Sequence, residues 1–133
     1  KKDRLVLFGK SKDKKDVFKT YNQIDIILDT FPYPGITTSL EAIFMGVPLL
    51  TKDGLTFYSK IGVGINKNLN MADWIAKNDE EYIQKAVEKS YEMKNSLINK
   101  KKLRNKFINS PLSDSKKFTK NFERALINIS KIN

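Results

Sequence analysis

The chain has 133 residues, 40% apolar and 30% charged, which allows one modest domain with a real core and excludes a disordered segment. It has no cysteine, which excludes disulfides, thiolate metal sites and cysteine nucleophiles, and no histidine, which removes the commonest general base and metal ligand. The formal charge of +10 is uneven: residues 1–93 hold 14 Lys/Arg against 13 Asp/Glu, and residues 94–133 hold 11 against 2.

In chain order, residues 4–8 form an apolar run ending at Gly9 and predict a short buried strand. Residues 13–23 predict a helix whose apolar stripe is Val17, Phe18 and Tyr21. Residues 24–28 are almost continuously apolar and predict a strand buried on both faces, as in a parallel sheet. Pro32 and Pro34 break regular structure, and Gly35 permits backbone that other residues resist. Thr37 or Thr38 is expected to cap a helix that runs to about Phe44 and stops at Gly46. Residues 48–51 predict a third strand, followed by a turn at Asp53-Gly54. Strands alternating with helices in this way imply right-handed crossovers and a parallel sheet.

The second half reads as helical. Residues 57–65 suit a helix interrupted in composition by Gly62 and Gly64. Asn78 followed by Asp79, Glu80 and Glu81 marks a helix start, and the helix is expected to bury Tyr82, Ile83, Ala86, Val87 and Tyr91. Leu103 and Phe107 belong to a further helix ending before Pro111. A last helix begins near Asp114, with Phe118, Phe122, Ala125, Leu126, Ile129 and Ile132 on one stripe. The expectation is an α/β fold: one partial domain over 1–133, with a βαβαβ core over 1–56 and a helical segment over 57–133. Three strands are few for such a sheet, so flanking strands are expected upstream in a longer parent chain. A start at Lys1 rather than Met agrees with that.

The chemistry concentrates in residues 25–51. A helix N-terminus offers unpaired N–H groups and partial positive charge, which favour a phosphate. Gly35 lets backbone approach closely, and the Thr37 and Thr38 hydroxyls add donors. Ligands of open α/β sheets bind beyond the carboxyl ends of the strands, where loop 30–36 is expected to lie. An ordinary capped helix accounts for the same pattern. Glu41 is open in the same way: Thr38-x-x-Glu41 fits a capping box, and its carboxylate also suits ribose hydroxyls. Asp25 and Asp29 lie about 13 Å apart on an extended segment, too far for a catalytic pair. Asp29 is better suited to holding the loop backbone. Tyr33 could stack on a base or sugar, or cover the core edge. No catalytic residue or metal-binding set stands out.

The basic run Lys100, Lys101, Lys102, Arg104 and Lys106 could meet nucleic acid or an anionic membrane. No aromatic residues interleave it as base stacking requires, which favours a solvated helix face. No apolar run approaches the roughly 18 residues of a membrane span.

The run Asp29-Thr30-Phe31-Pro32-Tyr33-Pro34-Gly35-Ile36-Thr37-Thr38, with Glu41-Ala42 and Met45-Gly46-Val47-Pro48 after it, resembles the C-terminal catalytic half of the O-GlcNAc transferase and SPINDLY family. The likeness continues through Ala76-Lys77-Asn78, Glu81-Tyr82, Ser110-Pro111-Leu112 and Phe118, and its loop looks most like the SPINDLY and bacterial branch. The resemblance implies a GT-B glycosyltransferase with a Rossmann-like C-terminal domain. It implies a metal-independent enzyme without a cofactor, which moves sugar from a UDP- or GDP-sugar to protein Ser or Thr hydroxyls.

By position, Gly35, Ile36, Thr37 and Thr38 would bind the donor diphosphate and Glu41 the ribose, with Tyr33 and Pro34 in the loop beside the donor. The O-GlcNAc transferases carry a histidine where Ile36 stands, and another where Asp16 stands. The implied partners are the donor, a protein acceptor recruited upstream, and the N-terminal half of the parent enzyme. Self-association of this piece, a cytoplasmic location and inactivity in isolation are further expectations. The alternatives are a noncatalytic or degenerate nucleotide-binding module and, third, a basic nucleic-acid-binding domain.

Overall fold

The computed structural model describes residues 5–7, 9, 13–95 and 100–131. Three parallel strands lie in the order β1 (Ile27–Leu28), β2 (Leu49–Lys52) and β3 (Ile75–Ala76). Leu28 pairs with Leu50 and Lys52 with Ala76. Helix α2 (Thr37–Phe44) connects β1 to β2, and α3 (Ile61–Asn68) connects β2 to β3. Before the sheet stands α1 (Lys14–Tyr21). After it come α4 (Asp79–Asn95), α5 (Lys100–Ile108) and α6 (Ser115–Ser130).

Local sequence explains most of these ends. The Asp13 carboxylate accepts the Asp16 N–H and starts α1. Gly46 adopts φ 83°, and the Val47 N–H reaches back to the Ala42 carbonyl at 2.8 Å, so glycine stops α2 as expected. At α4, the Glu81 N–H donates to the Asn78 side chain while the Glu81 carboxylate accepts the Lys77 N–H, a reciprocal cap. Asp114 caps α6 through the Lys117 N–H.

The core gathers where helices meet the central strand. Ile43, Leu49, Leu50, Ile65, Leu69, Met71, Trp74 and Leu103 form one cluster, and Tyr21, Ala42 and Val47 a second. Neighbouring residues of α2 thus serve both. Helix α2 also packs on α5, where the Phe107 ring meets Phe44 edge-on at 6.2 Å.

Four expectations change. Residues 5–7 form no strand and lie exposed, while Arg4 and Phe8 fall outside the described residues. The strand expected at 48–51 forms as β2, and a further strand, not expected, forms at Ile75–Ala76 inside the segment expected to be helical. Leu28 is 55% exposed rather than buried, because side chains alternate along β1: Ile27 packs on the core and Leu28 points to the opposite face. On α4, Tyr82, Ala86 and Met93 pack inward, whereas Ile83, Val87 and Tyr91 form a separate exposed stripe one residue round the helix. The stripe on α6 is likewise exposed over Phe118, Phe122, Leu126 and Ile129; Ile132 lies outside the described residues.

Candidate functional site

Asp29 follows the last residue of β1, and its N–H donates to the Leu50 carbonyl at 2.9 Å. Its side chain turns inward and is almost buried. One carboxylate oxygen accepts the Gly35 N–H at 3.0 Å; the other accepts the Thr51 hydroxyl at 2.8 Å. The first bond closes loop 30–36 on itself. Burial pushes the Asp29 carboxyl above its ordinary 3.8, against the hydrogen bonds from Gly35 and Thr51 that pull it down.

Gly62, early in α3, makes this arrangement fit. A Cβ there would stand 2.3 Å from the Thr51 hydroxyl and 2.6 Å from the Asp29 carboxylate. The glycine that weakens a helix on propensity is therefore a close-approach position. The Tyr82 hydroxyl donates to the Asp29 carbonyl from α4 at 2.8 Å, and burial, then the Asp29 charge, pushes it up to about 12.

Beyond Gly35 the chain enters α2 at Ile36, which supplies no side-chain cap. Neither threonine is the cap: Thr37 and Thr38 are the first two helical residues. The N–H groups of Thr37, Thr38 and Ser39 have no hydrogen-bond partner among the described residues, and both threonines are exposed. Gly35 lies against this turn, where a Cβ would stand 2.6 Å from both the Thr38 and Ser39 hydroxyls. The ordinary capped helix is thus not what forms.

The register also removes the capping box. With Ile36 at the cap, the acidic partner would have to occupy position 39, which is serine. Glu41 is half-buried and its carboxylate makes no hydrogen bond among the described residues. It lies three and four residues after Thr38 and Thr37, hence on their side of the helix. The Tyr21 hydroxyl holds the Thr38 carbonyl at 3.2 Å.

The loop outside α2 presents Tyr33, 67% exposed, with its ring 5.7 Å from Tyr58; Pro34 beneath it is buried. At the carboxyl ends of β2 and β3, a shallow cleft of about 230 Å³ is lined by Asp53, Gly54, Leu55, Lys60 and Lys77. Sequence reasoning placed Gly35, Ile36, Thr37, Thr38 and Glu41 together. It missed Thr51, Gly62 and Tyr82, which act on the loop from separate elements. An unneeded glycine in a helix was the one available signal.

On the basic α5, Lys100 is half-buried, while Lys101, Lys102, Arg104 and Lys106 lie exposed. The Lys100 ammonium donates to the carbonyls of Tyr21, Asn22 and Ile24, Lys106 donates to Asn70, and the Arg104 guanidinium lies 4.0 Å from the Phe44 ring centroid.

A profile of glycosyl transferase family 41 matches residues 1–122. The chain belongs to this family. A probable UDP-N-acetylglucosamine–peptide N-acetylglucosaminyltransferase SPINDLY from Solanum lycopersicum is 36% identical over 108 residues, covering 81% of this chain and 12% of the relative. The protein of the same name from Arabidopsis thaliana is 33% identical over 127 residues, covering 96% and 13%. Among solved structures, a mutant O-GlcNAc transferase of Thermobaculum terrenum superposes with a TM-score of 0.68 at 33% identity, covering 84% of this chain and 21% of that one. The α/β fold with its short parallel sheet is therefore that of family 41 enzymes. The chain spans about an eighth of the length of these curated relatives. Among the described residues no helix is long and apolar enough to cross a membrane.

Proposed function

We propose that this chain forms the donor-binding part of a glycosyltransferase that moves sugar from a UDP- or GDP-sugar to Ser or Thr hydroxyls of a protein. One observation carries the reading: α2 opens without a side-chain cap, and its first three N–H groups are unpaired beside two exposed threonine hydroxyls. A diphosphate supplies the oxygens that such a turn lacks. Membership in family 41 and the names of the relatives support the same substrate class.

In this reading Gly35 and Ile36 bring the backbone to the diphosphate, and Thr37 and Thr38 donate to it. Glu41, one turn along, accepts from the ribose. Tyr33 and Pro34 flank the sugar side. As the bond from sugar to diphosphate breaks, negative charge grows on the leaving oxygens. Pre-oriented N–H groups and the helix dipole stabilise that charge without reorganising. Asp29 is engaged with Gly35 and Thr51 and serves as the loop's anchor, not as the acceptor's base. The exposed stripe of α6 is the surface on which further polypeptide of such an enzyme packs, and the enzyme acts in the cytoplasm without a metal.

Calorimetry with UDP, GDP and their sugars tests this. The wild type should bind a nucleoside diphosphate, weakly in the isolated chain, and Thr37→Ala/Thr38→Ala, which removes two hydroxyl donors and keeps the backbone N–H groups, should weaken it. An affinity unchanged by the double substitution would refute the site. Tight donor binding with no transfer by the full enzyme would favour a noncatalytic module. Lys100 is taken up by three backbone carbonyls, and no aromatic residues interleave the basic run as base stacking requires, which counts against nucleic acid as the ligand.

A further inference from the structure

Lys52 is an unusual residue for its place. It ends the central strand, paired in register with Ala76, and its side chain is only 13% exposed. A lysine brought that far from water needs a partner for its charge. It has two. Its ammonium lies 3.4 Å from the centroid of the Phe31 ring, and it forms an ion pair with Asp79 in the first turn of α4. The Asp79 side chain is 77% exposed, so that pair is screened by water and contributes little. The ring contact is close, and the lysine that makes it is largely withdrawn from water, which strengthens such a contact.

Phe31 is the second residue of loop 30–36 and is itself half-exposed. Its ring edge also lies near Gly54, where a Cβ would come within 3.1 Å of it. The loop is tied near both ends by side chain–backbone bonds: the Thr30 hydroxyl donates to the Tyr33 carbonyl, and the Gly35 N–H donates to the Asp29 carboxylate. Between those ties, Phe31 is held from outside the loop by a charge on β2 and by the glycine turn after it. Releasing the ring leaves the Tyr33–Tyr58 ring contact and the buried Pro34 to hold the 31–34 stretch. With one tie fewer, the α2 entrance at Gly35 would be held less firmly.

We propose that Lys52 is a positioning residue for the donor loop, acting through the face of Phe31 rather than by touching the ligand. The donor half of this inference rests on the proposed function; the loop half does not. Lysine and arginine both carry a cation to an aromatic face, and methionine keeps the length and apolar stem without the charge. That contrast separates the charge from packing.

The test uses Lys52→Met, Lys52→Arg, Phe31→Ala and the Phe31→Ala/Lys52→Met pair in the same 133-residue protein. Two readouts are taken: hydrogen exchange of the Gly35 amide without ligand, and the Kd for UDP and GDP. Lys52→Met should speed Gly35 exchange and weaken nucleotide binding about three- to tenfold. Lys52→Arg should restore both, and Lys52→Met should add nothing once Phe31 is alanine. Unchanged Gly35 exchange in Lys52→Met, or effects of the two substitutions that simply add, would overturn the proposal. A wild type that binds neither nucleotide overturns the proposed function and the donor half with it, while the exchange readout still decides whether Lys52 orders the loop.

Discussion

The Tyr82 hydroxyl donates to the carbonyl oxygen of Asp29 at 2.8 Å, joining α4 to the end of β1 across 53 residues of sequence. Asp29 in turn holds Gly35 through its carboxylate. A helix in the second half of the chain therefore steadies the loop in the first half. Tyr82→Phe removes the donor and leaves a half-buried carbonyl short of one partner. It should cost about 1 kcal/mol of stability, measured by urea unfolding, and speed amide exchange at Gly35.

Asp29 itself allows a sharper comparison. Asn is isosteric: its oxygen can accept from Gly35 and its amide can donate to Thr51. Ala can do neither and strands the Gly35 N–H. Asp29→Ala should lose about 2 kcal/mol or more, and Asp29→Asn much less. Chemical denaturation of the two variants side by side checks the order.

The same pair has a pH signature. Burial raises the Asp29 carboxyl above its ordinary 3.8, so the folded state holds that proton more tightly than the unfolded chain does. Its contribution is complete below 3.8 and is lost as pH rises through the folded value. Asp29→Asn has no such loss. Relative to wild type, the variant should gain in Tm as pH rises from about 3.8 and then level off. A difference in Tm that does not change with pH would show that the carboxyl titrates alike in both states.

Lys100 caps the end of α1 with three carbonyl contacts, at 3.1, 3.3 and 3.1 Å. Its backbone also fills the space beside Gly46, where a Cβ would meet it at 2.5 Å. Lys100→Met keeps the stem and removes the donor. About 1–3 kcal/mol should be lost in urea unfolding, with α1 and the Tyr21–Thr38 contact loosening first in hydrogen exchange.

Helix α6 carries an exposed stripe in which the Phe118 and Phe122 rings stack at 6.0 Å. A face of this kind drives association when nothing else covers it. The 133-residue chain should sediment as a concentration-dependent mixture, and Phe118→Ser/Phe122→Ser should shift it to monomer. Identical sedimentation of the two proteins would remove α6 from the contact.

Much of the architecture was legible because local signals agreed. Asp13, Gly46, Asn78 and Asp114 end their helices where residue chemistry says they should. The order of strands from β1 to β2 followed from apolar runs separated by one helix. β3 was not legible: two residues, Ile75 and Ala76, carry no periodicity, and they form a strand because β2 offers an unpaired edge. The apolar residues of α4 misled in part, since a stripe reports what a helix can bury and not what covers it. At the candidate site, the residues of one contiguous loop could be named from sequence. The start of α2, one residue earlier than a threonine cap implies, decided what they can do, and only three-dimensional placement fixes that register. Thr51, Gly62 and Tyr82 reach the loop through tertiary contacts that leave no spacing to read.

The central claim is that the first turn of α2 receives a diphosphate. Amide chemical-shift mapping of the 133-residue protein during titration with UDP and GDP tests it most directly. The largest saturable shifts should fall on Gly35, Thr37, Thr38 and Ser39, and should need more nucleotide to saturate in Thr37→Ala/Thr38→Ala. Shifts that instead centre on Lys102 and Lys106 of α5, or a titration unchanged in the double variant, would contradict it.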